Sequence, residues 1–238
     1  MMSQHISTAI TELYHKADLS LPTVKRRVVL LNELLGGYNL TCTEIAGLTS
    51  EAASNMLLRR GAILEPLKNT SRDFLAGYIY ASKTGGFIFV ERNDLLVRRR
   101  FSVAHELGHY VLHLQPLLTK EALSDAYELV EISEALAPFP KDEDAEDIPT
   151  GQIYPPGQAE FASLLPPYEQ MEREANQFAA ALLMPEEVVR DLVAHYGSVS
   201  RKDDLIWRLS TEMLVSRAAV QWRLRDLRLS HLVTASWN

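Results

Sequence analysis

The stretch Phe101 to His113, FSVAHELGHYVLH, constrains this chain more than any other, because it lays a helical hydrophobic period over residues that do chemistry. Within it His105, Glu106, Leu107, Gly108 and His109 spell H-E-x-x-H. A helix carries residues four apart onto one face, so both imidazoles point the same way and can share one divalent metal. Zinc suits two neutral imidazole nitrogens where a coordination position stays open, and Glu106 reaches a water at the metal rather than the metal itself. Phe101, Ala104, Val111 and Leu112 give the helix a face to bury. Gly108 is a poor helix former, about 1 kcal/mol worse than alanine, and it leaves room for a second backbone or a substrate. His113 continues the same line but lies a turn too far along for the same metal, and reads as structural. The competing reading is a buried helix whose histidines are hydrogen-bonded core residues. A third ligand with its own helical context decides against that.

Such a context lies at Tyr168 to Pro185, YEQMEREANQFAAALLMP, a strong helical run ended by proline. Glu172, Ala175, Asn176, Ala179 and Leu183 fall along one face, setting a carboxylate and an amide one turn apart among small and apolar residues. That is a costly position for polar groups without partners. Glu172 as third ligand, with Asn176 hydrogen-bonded to a ligand, resolves the cost. Glu174 competes for the role; it lies about 200 degrees around from Glu172 at about 100 degrees per residue, so one of the two can face the metal.

These two motifs together resemble the ImmA/IrrE family of zinc metallopeptidases, marked by an AHELGHxxLH helix and, after a variable gap, E-x-x-A-N-x-F-A-A-x-L-L-M-P. The chain has AHELGHYVLH at 104–113 and EREANQFAAALLMP at 172–185. Carried over by position, the resemblance implies His105 and His109 as zinc ligands, Glu106 as general base and a glutamate of the second helix as third ligand. The family pattern leaves Glu172 and Glu174 both open, and the one-turn relation to Asn176 favours Glu172. The resemblance covers about Gly77 to Pro185 apart from the acidic stretch between the motifs. It further implies a protein substrate, typically a helix-turn-helix repressor cleaved in a stress response or in mobile-element induction.

With 238 residues the chain can bury a real core in one or two domains. It has no run of eighteen apolar residues, and its first residues, MMSQHISTAITEL, lack the regions of a signal peptide. The expectation is a cytoplasmic protein with no membrane partner. The single cysteine, Cys42, excludes an internal disulfide and a cysteine-rich zinc site. The net charge of −7 is a local matter: ten acidic residues against one lysine between Glu121 and Asp147 leave the rest of the chain at +2. A near-neutral body keeps nucleic acid open as a partner.

Around the two motifs, residues 1–35 read as helical, with Ile10, Leu13 and Tyr14 on one face, Val28, Leu31, Leu34 and Leu35 on another, and Pro22 in a first helical turn. Thr41 and Glu44 have capping-box spacing and predict a short helix there. Ser50 is placed to cap a helix over Glu51 to Arg60. GYIYAS and FIFVER flank Lys83-Thr84-Gly85-Gly86 and predict a hairpin. Its second strand could take an extended substrate by strand addition, unless it is internal. Residues 121–167, acidic and partly helical, then proline-rich, read as a long insertion, either a lid or a plain solvated loop. Ile206 to Leu227 resembles a helix-turn-helix in which Ser216 caps the second helix and Arg217, Gln221, Arg223 and Arg225 project from it. Leu214 stands where such turns usually carry glycine.

The fold predicted is α+β and mainly helical, with a small β-sheet packed on the metal helix. It divides into an N-terminal helical region (1–70), a metallopeptidase domain (71–195) carrying the insertion 121–167, and a helical C-terminal segment (196–238). The function predicted is zinc-dependent peptide hydrolysis at His105, His109, Glu172 and Glu106. Tyr78, Tyr80, Tyr110, Tyr168 and His195 stand as candidate donors to the oxyanion. The alternatives are a DNA-binding regulator acting through its C-terminal helices and a toxin-antitoxin component with a structural metal.

Overall fold

The computed structural model describes residues 4–61, 74–82, 84–119, 129–135, 164–197 and 201–230. The predicted hairpin forms: β2 (Leu75–Ser82) and β3 (Gly85–Glu91) pair antiparallel, with Ile79 opposite Ile88 and Tyr80 opposite Phe87. Its neighbours are β1 (Leu40–Ile45), parallel to β3, and β4 (Leu129–Ala135), antiparallel to β2, in the order β1-β3-β2-β4.

Three sequence expectations change here. The segment carrying Thr41 and Glu44 is a strand, not a capped helix: Thr41, Thr43 and Ile45 are β-branched, and their backbone is claimed by β3, with Thr41 opposite Phe87 and Ile45 opposite Glu91. Because β1 and β2 flank β3 on both sides, β3 has no open edge for a substrate strand. And the acidic stretch contains β4, where a partly helical start was expected. The lid reading of its later, charge-rich part lies outside the described residues.

At the N-terminus, α1 (Gln4–Lys16) buries Ile6, Leu13 and Tyr14, and α2 (Leu31–Gly36) buries Leu31, Leu34 and Leu35. Pro22 belongs to neither; Asp18, with φ 55°, turns the chain out of α1, and an isolated bridge joins Thr23 to Arg26. After β1 comes α3 (Ser50–Arg59), capped one residue earlier than predicted, by Thr49, whose hydroxyl accepts the Ala52 N–H at 3.1 Å.

The sheet lies between two layers. Ile79, Ala81, Ile88 and Val90 face the main core, and so α4 (Leu96–His109), through Val103, Ala104 and Leu107. Leu75, Tyr78, Tyr80 and Phe89 face the other way, against Leu48 and the Ala53 and Leu57 of α3. From Tyr78 on this is the alternation a strand imposes, applied to strands buried on both faces, and Leu75 joins the second face across the register shift between Leu75 and Gly77. Beyond α4 the helix widens into a π turn at Tyr110–Leu114, in which the Gln115 N–H bonds the Tyr110 carbonyl, and then narrows to the short α5 (Gln115–Leu118). Pro116 supplies the cause: it has no N–H for the Leu112 carbonyl, and its ring would crowd that oxygen in a regular helix.

The remaining helices are α6 (Tyr168–Leu183), α7 (Glu186–Tyr196), α8 (Lys202–Met213) and α9 (Arg217–Asp226). α4 and α6 lie against one another, and Gly108 permits it. A Cβ there would stand 3.0 Å from Phe178 Cδ1 and 3.2 Å from the Ala175 Cα. The room read from the sequence is taken by a backbone. α8 and α9 are joined by a tight turn: Leu214 adopts φ 52°, and the Ser216 hydroxyl accepts the Ala219 N–H at 3.1 Å. The projection of Arg223 does not hold. It is 2% exposed, donates from Nε to the Met184 carbonyl at 3.1 Å and pairs with Asp226 at 2.6 Å. It ties α9 to the end of α6, whereas Arg217, Gln221 and Arg225 are exposed.

Candidate metal centre

His105 and His109 follow from helical spacing, and α4 buries both completely. Their Nε2 atoms face each other at 2.9 Å. From α6, across the Gly108 contact, Glu172 brings Oε1 to 3.0 Å from His109 Nε2 and Oε2 to 3.5 Å from His105 Nε2. Candidate ligand atoms of all three lie within 4.8 Å of one another. Ligands about 2.0–2.1 Å from a tetrahedral zinc stand roughly 3.3 Å apart, so this set fits such an ion with little movement. The alternative left open by the sequence is also divided by the geometry. Glu174 turns away from the pair, and its Oε2 lies 3.1 Å from His113 Nε2.

Electrostatics put His109 and Glu172 in the forms a metal requires. Burial, helped by neighbouring imidazoles and opposed by Glu172, lowers the pKa of His109 to about 4, so the ring is neutral at pH 7. For Glu172 burial works upward, but the hydrogen bonds and charges of His105 and His109 outweigh it and hold the carboxyl well below its ordinary range. Neutral imidazole and ionised carboxylate are the ligand forms of these side chains. The His105 Nδ1 sits 3.2 Å from Asn176 Oδ1, the one-turn partner read from the sequence. Its Nδ1–H donates to that amide oxygen and leaves Nε2 bare toward the centre.

Glu106 is fully buried, on the side of α4 that meets the sheet. Gly77 of β2 faces it so closely that a Cβ would run into its Oε1 and stand 3.0 Å from its Cγ. Gly77 was not singled out from the sequence, where it looks like a weak point in a strand; an isolated glycine inside a strand pattern is itself the signal for a close approach. Of the oxyanion candidates, Tyr78 and Tyr80 point to the α3 side of the sheet, away from α4. Tyr110 packs edge-on against Tyr38, with ring centroids 5.4 Å apart. His195 is exposed and meets the Tyr196 ring edge-on, with centroids 4.6 Å apart. Tyr168 is half-buried and shares a face of α6 with Glu172, one turn earlier.

Compared with known families, the chain matches a peptidase family model described as the IrrE N-terminal-like domain, over residues 65–135 and 157–225. The match spans both motif helices and breaks within the acidic stretch. A comparison with curated proteins finds no match. Among the described residues no helix is long and apolar enough to cross a membrane.

Proposed function

The chain belongs to the peptidase family of the IrrE N-terminal-like domain, and from that premise we propose that it is a zinc-dependent endopeptidase acting on a protein in the cytoplasm. The observation that carries the proposal is the meeting of one carboxylate with two buried imidazole nitrogens, 2.9 to 3.5 Å apart, whose helix also carries the fully buried Glu106. Three protein ligands leave a fourth position open, which separates a catalytic from a structural zinc.

His105, His109 and Glu172 would hold the metal, and Asn176 orients His105. When bound, zinc supplies a Lewis acid that makes water nucleophilic near neutral pH and polarises the scissile carbonyl. Glu106 accepts the proton that the water gives up on attack and returns it to the leaving amine, so one carboxylate serves as base and then as acid. Gly77 gives its side chain room to do so. Tyr168, on the Glu172 face of α6, is the candidate donor to the developing oxyanion. The substrate we propose is a helix-turn-helix repressor, on the family resemblance of the two motifs.

The test is metal analysis of the purified protein with incubation against candidate repressors. The expected result is one zinc per chain, with cleavage abolished by Glu106→Gln. Absence of zinc, or equal cleavage by that variant, overturns the reading. The other two readings have their own signatures. Loss of DNA binding in Arg217→Glu with Arg225→Glu marks a regulator; unfolding on chelation with full activity of Glu106→Gln marks a structural metal.

A further inference from the structure

His113 and Glu174 lie just outside the proposed ligand set, and the positions of their atoms form a directed chain. The Nε2 of His109 faces His105 and Glu172, at 2.9 and 3.0 Å. A neutral imidazole that offers a lone pair on Nε2 carries its proton on Nδ1. The His109 Nδ1 is 3.3 Å from the Nδ1 of His113, so His113 must accept there and carry its own proton on Nε2. That nitrogen points at Glu174 Oε2, 3.1 Å away. The second oxygen of Glu174 accepts from Gln170 Nε2 at 3.0 Å, which fixes the carboxylate on α6. His113 is 4% exposed, whereas the Glu174 side chain, at 18%, is where the chain of groups approaches solvent, with His5 of α1 4.0 Å away.

The helix is built to make this contact. His113 lies in the π turn, whose wider circuit brings the fourth residue on less far around than a regular helix would, and Pro116 forces that turn. The two ligand histidines are thereby supported unequally. His105 donates to a neutral amide, and His109 donates to a histidine that ends on a carboxylate. The proximity of both glutamates to the asparagine, ambiguous in the sequence, resolves into two roles on one helix.

Resting on the zinc reading above, the geometry points to His113 and Glu174 as positioning residues that lock His109 in its Nε2-ligating tautomer and feed carboxylate charge to it without a second carboxylate at the metal. Outer partners of this kind are worth about 10–100-fold in metal affinity.

The test is Zn²⁺ affinity by chelator competition on the full chain, with thermal unfolding of the metal-free proteins alongside. His113→Phe removes the acceptor and should weaken Zn²⁺ binding by about 10–100-fold. His113→Asn places an oxygen near the position of Nδ1 and should recover most of that loss. Glu174→Gln should weaken binding in the same direction by less. Long-range ¹⁵N–¹H spectra of the zinc-loaded wild type should put the proton of His109 on Nδ1 and that of His113 on Nε2. Unchanged affinity in His113→Phe or in Glu174→Gln, no recovery in His113→Asn, affinities that merely follow melting temperature, or the opposite tautomers would each overturn the relay. If His113→Phe does not fold, the asparagine variant, Glu174→Gln and the spectra still decide. Glu172→Gln separates the two levels of the argument: loss of zinc there with no effect of Glu174→Gln sinks the relay alone, whereas tight zinc in Glu172→Gln sinks the metal centre beneath it.

Discussion

Replacing Gly77 with alanine should separate catalysis from stability. In β2 this residue sits opposite Val90 of β3 and Glu134 of β4, and its Cα faces α4. An added methyl would collide with the Glu106 carboxylate, its Cγ and Cδ lying 3.0 and 3.1 Å from the new carbon. The backbone itself does not object, since Gly77 is not among the glycines with positive φ. Alanine there gains about 0.5–1 kcal/mol by restricting the unfolded chain. The clash is with the end of a flexible side chain, so Glu106 should yield and the strand should stay. A shift of about 1 Å in a positioned group costs on the order of 100-fold, which is about 2.7 kcal/mol of transition-state stabilisation. Folding stability should move by less than about 1 kcal/mol, and Zn²⁺ affinity should hold, because the atoms nearest the methyl all belong to Glu106. The assay is cleavage of a proteome-derived peptide library, read by mass spectrometry with Glu106→Gln as the inactive reference, beside urea unfolding and chelator competition. Wild-type cleavage by Gly77→Ala would refute the reasoning, and so would an activity loss that comes with an equal loss of zinc or of stability.

Gly108→Ala should go against helix propensity. Propensity alone offers about 1 kcal/mol, but the new methyl meets the Phe178 ring and the backbone of Ala175 at 3.0 to 3.3 Å. Overpacking of this kind costs about 1–3 kcal/mol, so urea unfolding should show a less stable protein, and a gain near 1 kcal/mol would contradict the close approach of α4 and α6. Ser216→Ala should cost about 1 kcal/mol by removing the hydroxyl that accepts the Ala219 N–H; unchanged unfolding would mean the cap adds nothing. The metal-free protein should lose stability in acid. Burial depresses His109 from 6.5 to about 4, so the unfolded chain binds the extra proton first. This stability is complete above pH 6.5 and disappears as pH falls to about 4, roughly 3 kcal/mol at 1.36 kcal/mol per unit. The depressed carboxyl of Glu172 acts in the same direction at still lower pH. Urea midpoints against pH, in chelator, measure the slope, and His109→Gln should flatten it.

Much of the centre was legible because its chemistry is local. Four-residue spacing on a helix is a property of backbone geometry, so the common face of His105 and His109, and that of Glu172 and Asn176, can be read before any packing is known. The hairpin of β2 and β3 and the Ser216 cap are legible for the same reason: turn residues and capping hydroxyls act on neighbours a few positions away. Failures occurred where a distant segment claims the backbone or the side chain. The capping-box letters of Thr41 and Glu44 yielded to pairing with β3, since a buried strand edge offers hydrogen bonds for the whole segment where a cap offers two. Arg223 looked like part of an exposed helix face until the Met184 carbonyl and Asp226 took it inside.

The sequence by itself therefore determined the kind of centre: two histidines with a glutamate between them, and a carboxylate helix, each on a surface set by its own helical period. Tertiary structure alone decided how these surfaces meet. It turned Glu172 to the histidines and Glu174 to His113, placed Gly77 against Glu106, and left β3 internal. The physical reason is range. Spacing along a helix constrains residues within a turn or two, whereas the approach of α6 to α4 is set by glycine and alanine contacts between segments some seventy residues apart, which no local pattern encodes.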